Sequence, residues 1–182
     1  GKLPKLLIPV HLGGSSCNMK EINKLSKKYG FYVIEDASHA IGGKYLEKPV
    51  GNCNFSEITI FSFHPVKIIT TGEGGMATTN NRIYAERITK LRSHGITRNE
   101  NEFEGPKLGE WYYEQQALGF NYRITDIQAA LGNSQLKRLK AIVSRRNYLF
   151  NKYKELANSL PIRFLDIPND VYSSLHLAIM QL

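Results

Sequence analysis

Cysteine is scarce in this chain. Only Cys17 and Cys53 occur in 182 residues, with no CxxC pair, which excludes metal fingers and disulfide scaffolds and leaves a reduced, cytoplasmic thiol pair as the plain reading. Long apolar runs are missing too. The longest uncharged ones, at residues 6–10 and 58–63, are far too short for a bilayer span, so no membrane partner is expected. No charged-then-apolar signal segment opens the chain, and Gly1-Lys2-Leu3-Pro4 reads as the middle of a longer polypeptide. No clustered third and fourth ligand is present to complete a metal site. Acidic residues are few, 16 against 24 Lys and Arg, giving a net charge of +8. Much of that excess lies at residues 24–28 and 137–146, interleaved with apolar residues at helical spacing. That pattern suits the wet faces of helices, so no nucleic-acid partner is expected.

What is present describes a folded α/β domain. Hydrophobic residues make up 42% of the chain, too many for a disordered tail. A short apolar run, residues 6–11, leads into a Gly-Gly-Ser-Ser turn. Residues 19–29 then read as a helix, with Ile22, Leu25 and Ser26 on one face, Asn18 as N-cap and Gly30 as terminator. Strands follow at 31–35, ending abruptly in Asp36, at 58–63 and at 76–79, with a further helix at 82–91. The alternation predicts a sheet with covered faces and ligands beyond the carboxyl ends of its strands. Residues 92–116 are polar and unpatterned and read as a long functional loop. Residues 126–157 lack proline and predict one continuous helix connecting two domains, broken at Leu160-Pro161. A new unit starts at Ile162, and the chain stops within what reads as a strand.

Three stretches carry chemistry. In residues 61–75, FSFHPVKIITTGEGG, Ser62 ends a strand, Lys67 follows it and a glycine-rich turn comes next. A lysine after a strand is ordinarily a solvated surface residue. Here Ser62 offers a hydroxyl to a phosphate, Val66, Ile68 and Ile69 would surround Lys67 and favour a nucleophilic amine, and the turn permits close backbone approach. In residues 33–40, VIEDASHA, Asp36 and His39 suit a metal pair, an acid–base pair or a cofactor clamp, while Asp36 alone suits an N-cap. In residues 118–130, LGFNYRITDIQAA, Asn121 and Arg123 are candidates for anion or subunit contacts.

EDASHA, FSFHPVKIITTGEGG, LRSHGI and GFNYRITDIQAALG, in that order along almost the whole chain, resemble the DegT/StrS family of pyridoxal-phosphate sugar aminotransferases. The resemblance implies the fold type I α/β architecture of PLP-dependent transferases. Residues 1–125 would be the C-terminal part of the cofactor-binding large domain, 126–157 the connecting helix and 158–182 the start of a small C-terminal domain. Lys67 falls on the Schiff-base lysine, Asp36 on the carboxylate facing the pyridine nitrogen, His39 on a cofactor contact near the phenolic oxygen, and Ser62 on a phosphate-binding hydroxyl. Asn121 falls on a phosphate contact from the partner subunit of a homodimer, and Arg123 adjoins it in the same motif. IPVHLGGSSCNM, the residues 111–132 block and SSLHL look most like members acting on UDP-4-keto sugars, with glutamate as amino donor. The family's upstream phosphate-binding turn and ring-stacking aromatic have no counterpart in this sequence. A non-catalytic relative on the same fold and a sugar dehydratase are the alternatives. Retention of Lys67 favours catalysis, since dehydratases of this fold usually carry histidine there.

Overall fold

The computed structural model describes residues 2–182. They form two compact units: one runs to Asn80 and resumes at Asp126–Leu182, and the other is Asn81–Thr125. Among the described residues no helix is long and apolar enough to cross a membrane.

The first unit is built on a four-stranded sheet. β1 (Leu6–Leu7) leads through a 3-10 turn to α1 (Met19–Tyr29), then to β2 (Tyr32–Asp36), the hairpin β3 (Lys44–Tyr45) and β4 (Lys48–Pro49), β5 (Ile58–Ser62) and β6 (Gly75–Thr78). The strand order is β1-β2-β5-β6, parallel except for the last pair. α1 starts where Asn18 accepts the N–H of Glu21, and ends at Gly30, which is left-handed at φ 71°.

Strand alternation divides β2 and β5 between two faces. Val33, Glu35, Thr59 and Phe61 are buried on one face, where Met19 of α1 packs on Val33, and Val143 packs with Ala37, Phe61, Phe63, Ile68 and Ile69. The other face carries Tyr32, Asp36, Ile60 and Ser62, with Tyr32 59% and Ile60 42% exposed. The sheet expected to be covered on both sides is thus covered on one side by the described residues, because α1 and α4 pack on the same face.

The expected continuous helix is two. α3 (Asp126–Leu136) and α4 (Leu139–Leu156) are separated at Lys137-Arg138, where Arg138 (φ −101°, ψ −2°) caps α4 and its N–H closes a tighter turn on the Gln135 carbonyl at 2.9 Å. Neither proline nor glycine breaks it. Tertiary contacts do: the Gln135 side chain of α3 accepts the N–H of Thr70 at 3.3 Å, while Leu139, Ile142 and Val143 of α4 enter the core. β9 (Arg163–Phe164), β10 (Val171–Tyr172) and β11 (Met180–Gln181) follow. β11 pairs with β9, and β10 joins the β3–β4 hairpin.

Residues 173–177 dock on the Gly13-Gly14 turn. Ser174 N–H donates to the Gly14 carbonyl at 3.1 Å, and Leu177 N–H to that of Gly13 at 3.2 Å. Gly14 has φ +99°, and a Cβ there would meet Ser174 Oγ at 2.6 Å, Leu175 N at 2.8 Å and the His39 carbonyl at 2.9 Å. Backbone cannot retreat as a side chain can. Gly14→Ala is expected to destabilise the full-length protein by about 3 kcal/mol, from strain and overpacking together, as read from the midpoint of urea unfolding.

The second unit contains α2 (Arg82–Leu91), capped by Asn81, and a short hairpin of β7 (Ile96–Thr97) with β8 (Glu114–Gln115). The segment read as an unpatterned loop is therefore ordered. Lys90 holds Glu102 at 2.6 Å and Gln116 at 3.0 Å, and the Phe103 ring stands edge-on to Tyr112 at 5.1 Å.

Candidate active site

Parallel pairing of β2 with β5 sets Asp36 opposite Ile60. Two residues on, Ser62 points to the same face as Ile60, so Asp36 and Ser62 share one face at the carboxyl ends of adjacent strands. The chain then turns through residues 63–74, where Lys67 sits half-buried. Lys67 N–H donates to the His64 carbonyl, and Thr70 Oγ1 and Thr71 N–H both close on that of Phe63. The expected apolar surround of Lys67 does not form: Val66 is 64% exposed, and Ile68 and Ile69 turn into the core with Phe61 and Phe63. Among the described residues the Lys67 Nζ donates to none.

Asp36 Oδ1 accepts the N–H of Ser38 at 3.0 Å, an Asx turn of the kind that the capping alternative anticipates. Burial opposes its charge, but hydrogen bonding by Ser38 and the charges of His39 and Lys67 hold the carboxyl below its usual value. His39 Nδ1 accepts the N–H of Gly13 at 3.4 Å, so Nε2 carries the proton of the neutral ring. Burial and the Lys67 charge keep His39 below its usual value against the pull of Asp36. Asp36, His39 and Lys67 are thus one electrostatic group. Ser62 Oγ accepts the N–H of His64 at 3.4 Å, which leaves its hydroxyl proton to donate. Asn121 and Arg123 are exposed residues of the second unit, Asn121 bridging to Ser93 through its backbone.

Two features have no counterpart in the sequence reading. Beneath Asp36, the neighbouring Glu35 faces the core and collects three donors: His11 Nε2 at 2.7 Å, Thr59 Oγ1 at 3.1 Å and Ser56 Oγ. Burial works against the carboxylate, and these bonds outweigh it, holding Glu35 below its usual value. The N–H of Cys17 donates to His11 Nδ1 at 3.2 Å, which requires a lone pair there and selects the neutral tautomer with its proton toward Glu35. His11 N–H also holds the Asp36 carbonyl at 3.0 Å, so this buried network grips the strand end that carries Asp36.

The second is His176, whose ring stacks on His39 with centroids 4.4 Å apart. Burial, then the charges of His39, Lys67 and Arg146, push it down to about 4. Between pH 6.5 and about 4 the unfolded chain therefore takes up a proton at His176 that the folded chain refuses, and stability falls as pH falls through this window. The melting temperature of the full-length protein is expected to drop across it, and His176→Asn to make the drop smaller. An unchanged drop in the variant would refute the assignment.

The match to known proteins agrees with this architecture. Residues 2–182 match the DegT/DnrJ/EryC1/StrS aminotransferase family. The chain belongs to this family. The UDP-4-amino-4,6-dideoxy-N-acetyl-beta-L-altrosamine transaminase of Campylobacter jejuni is 41% identical over 169 residues, which is 92% of this chain and 42% of that protein. Among solved structures, PseC of Helicobacter pylori, an aminotransferase involved in the biosynthesis of pseudoaminic acid, superposes with a TM-score of 0.83 at 32% identity, covering 95% of this chain and 44% of that one. The putative sugar aminotransferase Spr1654 of Streptococcus pneumoniae, in its PMP form, gives a TM-score of 0.85 at 29% identity, covering 98% and 49%; a PLP form is also known. The α/β fold of this family member is that of the sugar aminotransferases. Its chain spans about two fifths of the length of the curated relatives it matches.

Proposed function

We propose that the full-length protein is a PLP-dependent aminotransferase that moves an amino group from L-glutamate to the keto carbon of a UDP-4-keto-6-deoxy-N-acetylhexosamine. The observation that carries this reading is the grouping of Asp36, His39 and Lys67 at the carboxyl ends of β2 and β5, with Ser62 on the same sheet face. The altrosamine transaminase name of the C. jejuni relative supports the sugar class. The two free thiols fit a cytoplasmic enzyme.

The residues present fit pyridoxal phosphate. Asp36 is half-buried with one carboxylate oxygen turned to Ser38 and the other left for a protonated ring nitrogen, and Lys67 is uncommitted among the described residues. When bound, the cofactor supplies an electron sink that makes the C–H bond beside the transferred nitrogen acidic. Lys67 would hold it through Nζ and carry the proton. Asp36, kept ionised, would keep the pyridine nitrogen protonated. His39 would donate from Nε2 toward the phenolic oxygen, and the Ser62 hydroxyl would donate to the phosphate.

Asn121 completes the phosphate contact from a second copy of the chain. The second unit exposes Trp111, Tyr113, Leu118, Phe120 and Tyr122, the last two stacked 4.9 Å apart. Exposed apolar and aromatic side chains of this kind on the unit that carries Asn121 suit a subunit interface. The function is tested by incubating full-length protein with the UDP-4-keto sugar and glutamate: formation of 2-oxoglutarate and the 4-amino sugar in equal amounts supports it, and their absence with active cofactor bound rejects it. The shared site is tested by mixing full-length Lys67→Ala and Asn121→Ala proteins, each inactive alone. Mixed dimers should recover activity, since each contains one intact composite site.

A further inference from the structure

His176, packed against His39, is a histidine that the proposed function leaves without a task. Its Nδ1 is buried and meets no hydrogen-bond partner, the only such side-chain atom among the described residues. Buried polar atoms are nearly always paired, and an exception in a native fold marks strain, chemistry or a partner that arrives later. The ring is not misplaced by a loose backbone. Leu175 before it is held at φ 51°, its N–H bound to Ser173 Oγ at 3.1 Å. Arg146 Nη1 donates to the carbonyls of Leu175 and His176 at 3.1 and 3.3 Å, and Ser174 Oγ donates to the His39 carbonyl at 2.8 Å. A left-handed residue kept by so many bonds fixes the imidazole against His39 and leaves its nitrogen unpaired.

Three charged or titratable groups bear on His176: His39, Lys67 and Arg146. The Arg146 guanidinium is engaged with the two carbonyls, and the His39 ring lies tilted against His176 with its Nδ1 taken by the Gly13 N–H. Lys67 remains, with an amine that donates to none of the described residues. We propose that His176 is a positioning residue of this site, its neutral Nδ1 accepting a hydrogen bond from the Lys67 side chain and aiming the amine for attachment of the cofactor. This rests on the reading of Lys67 as the cofactor lysine.

The test separates the acceptor from the stacked ring and the inference from that reading. Attachment of pyridoxal phosphate to full-length apoprotein is followed by absorbance at neutral pH for the parent protein, Lys67→Ala, His176→Asn and His176→Phe. Asparagine keeps an acceptor at the position of Nδ1, whereas phenylalanine keeps the ring without one. Attachment by His176→Asn should stay within about threefold of the parent, and that by His176→Phe should be roughly tenfold slower, the worth of one hydrogen bond to an amine. Thermal unfolding checks that His176→Phe is folded; it removes an unpaired buried atom and should be at least as stable as the parent. If it does not fold, His176→Leu takes its place in the comparison. Attachment by the apolar variant at the parent rate overturns the inference and reduces His176 to a shelf for His39, as does an asparagine variant as slow as the apolar one. Attachment at the parent rate in Lys67→Ala instead overturns the reading of the site itself, and the inference with it.

Discussion

Lys67→Ala in the full-length protein is expected to lower kcat for amino transfer by on the order of 10⁴-fold, the upper range for losing a positioned proton-transfer group, while the fold is unaffected. The reason lies in how its loop is held. The turn at residues 63–74 is fixed by the backbone bond from Lys67 N–H to His64, by Thr70 and Thr71 closing on Phe63, and by Ile68 and Ile69 in the core. None of these uses the Lys67 side chain, which is half-buried and donates to none of the described residues. Truncation to alanine therefore leaves the turn standing and removes only the amine. The melting temperature without cofactor should be unchanged and noncovalent cofactor binding retained. A large loss of stability together with activity would mean that Lys67 is structural.

Glu35→Ala is the substitution with the largest expected effect on stability. It leaves the buried Nε2–H of His11, the buried hydroxyl of Thr59 and the half-buried hydroxyl of Ser56 without the acceptor that all three share, and His11 itself is 0% exposed. Leaving a buried donor without its acceptor costs about 1–3 kcal/mol, so loss of an acceptor shared by three donors is expected to cost about 3–5 kcal/mol, measurable as a shift of the urea midpoint. Glu35→Gln keeps the shape and one acceptor and should cost less. The loss extends to function through the strand end: His11 N–H binds the Asp36 carbonyl, so loosening His11 loosens the residue that faces the cofactor. Cofactor affinity should fall in Glu35→Ala even at temperatures where the protein remains folded.

The readable parts of this fold are those whose signals are local. Met19–Tyr29 and Arg82–Leu91 have the bounds that the apolar spacing suggests, because Asn18, Gly30 and Asn81 act on the backbone within a turn of themselves. The break at Lys137-Arg138 has no local signal: it comes from Gln135 reaching Thr70 while Val143 enters the core. The two-residue strands Lys44–Tyr45, Lys48–Pro49 and Val171–Tyr172 are too short to show periodicity and exist only by pairing with one another. Within the site, a carboxylate at a strand end and a lysine in the next turn are visible as types, and register alone brings Asp36 and Ser62 to one face. The approach of His176 to His39 depends on a long chain excursion and a left-handed Leu175. Glu35 was hidden by its neighbour: adjacent acids in a strand face opposite ways, and only one of them could be the ligand-facing one.

Lys67 as the covalent attachment point is the claim on which the rest depends. Full-length protein loaded with pyridoxal phosphate is reduced with borohydride, digested and mapped by mass spectrometry. The account predicts a single modified peptide, carrying the phosphopyridoxyl group on Lys67. Modification of any other lysine, with Lys67 untouched, would contradict it.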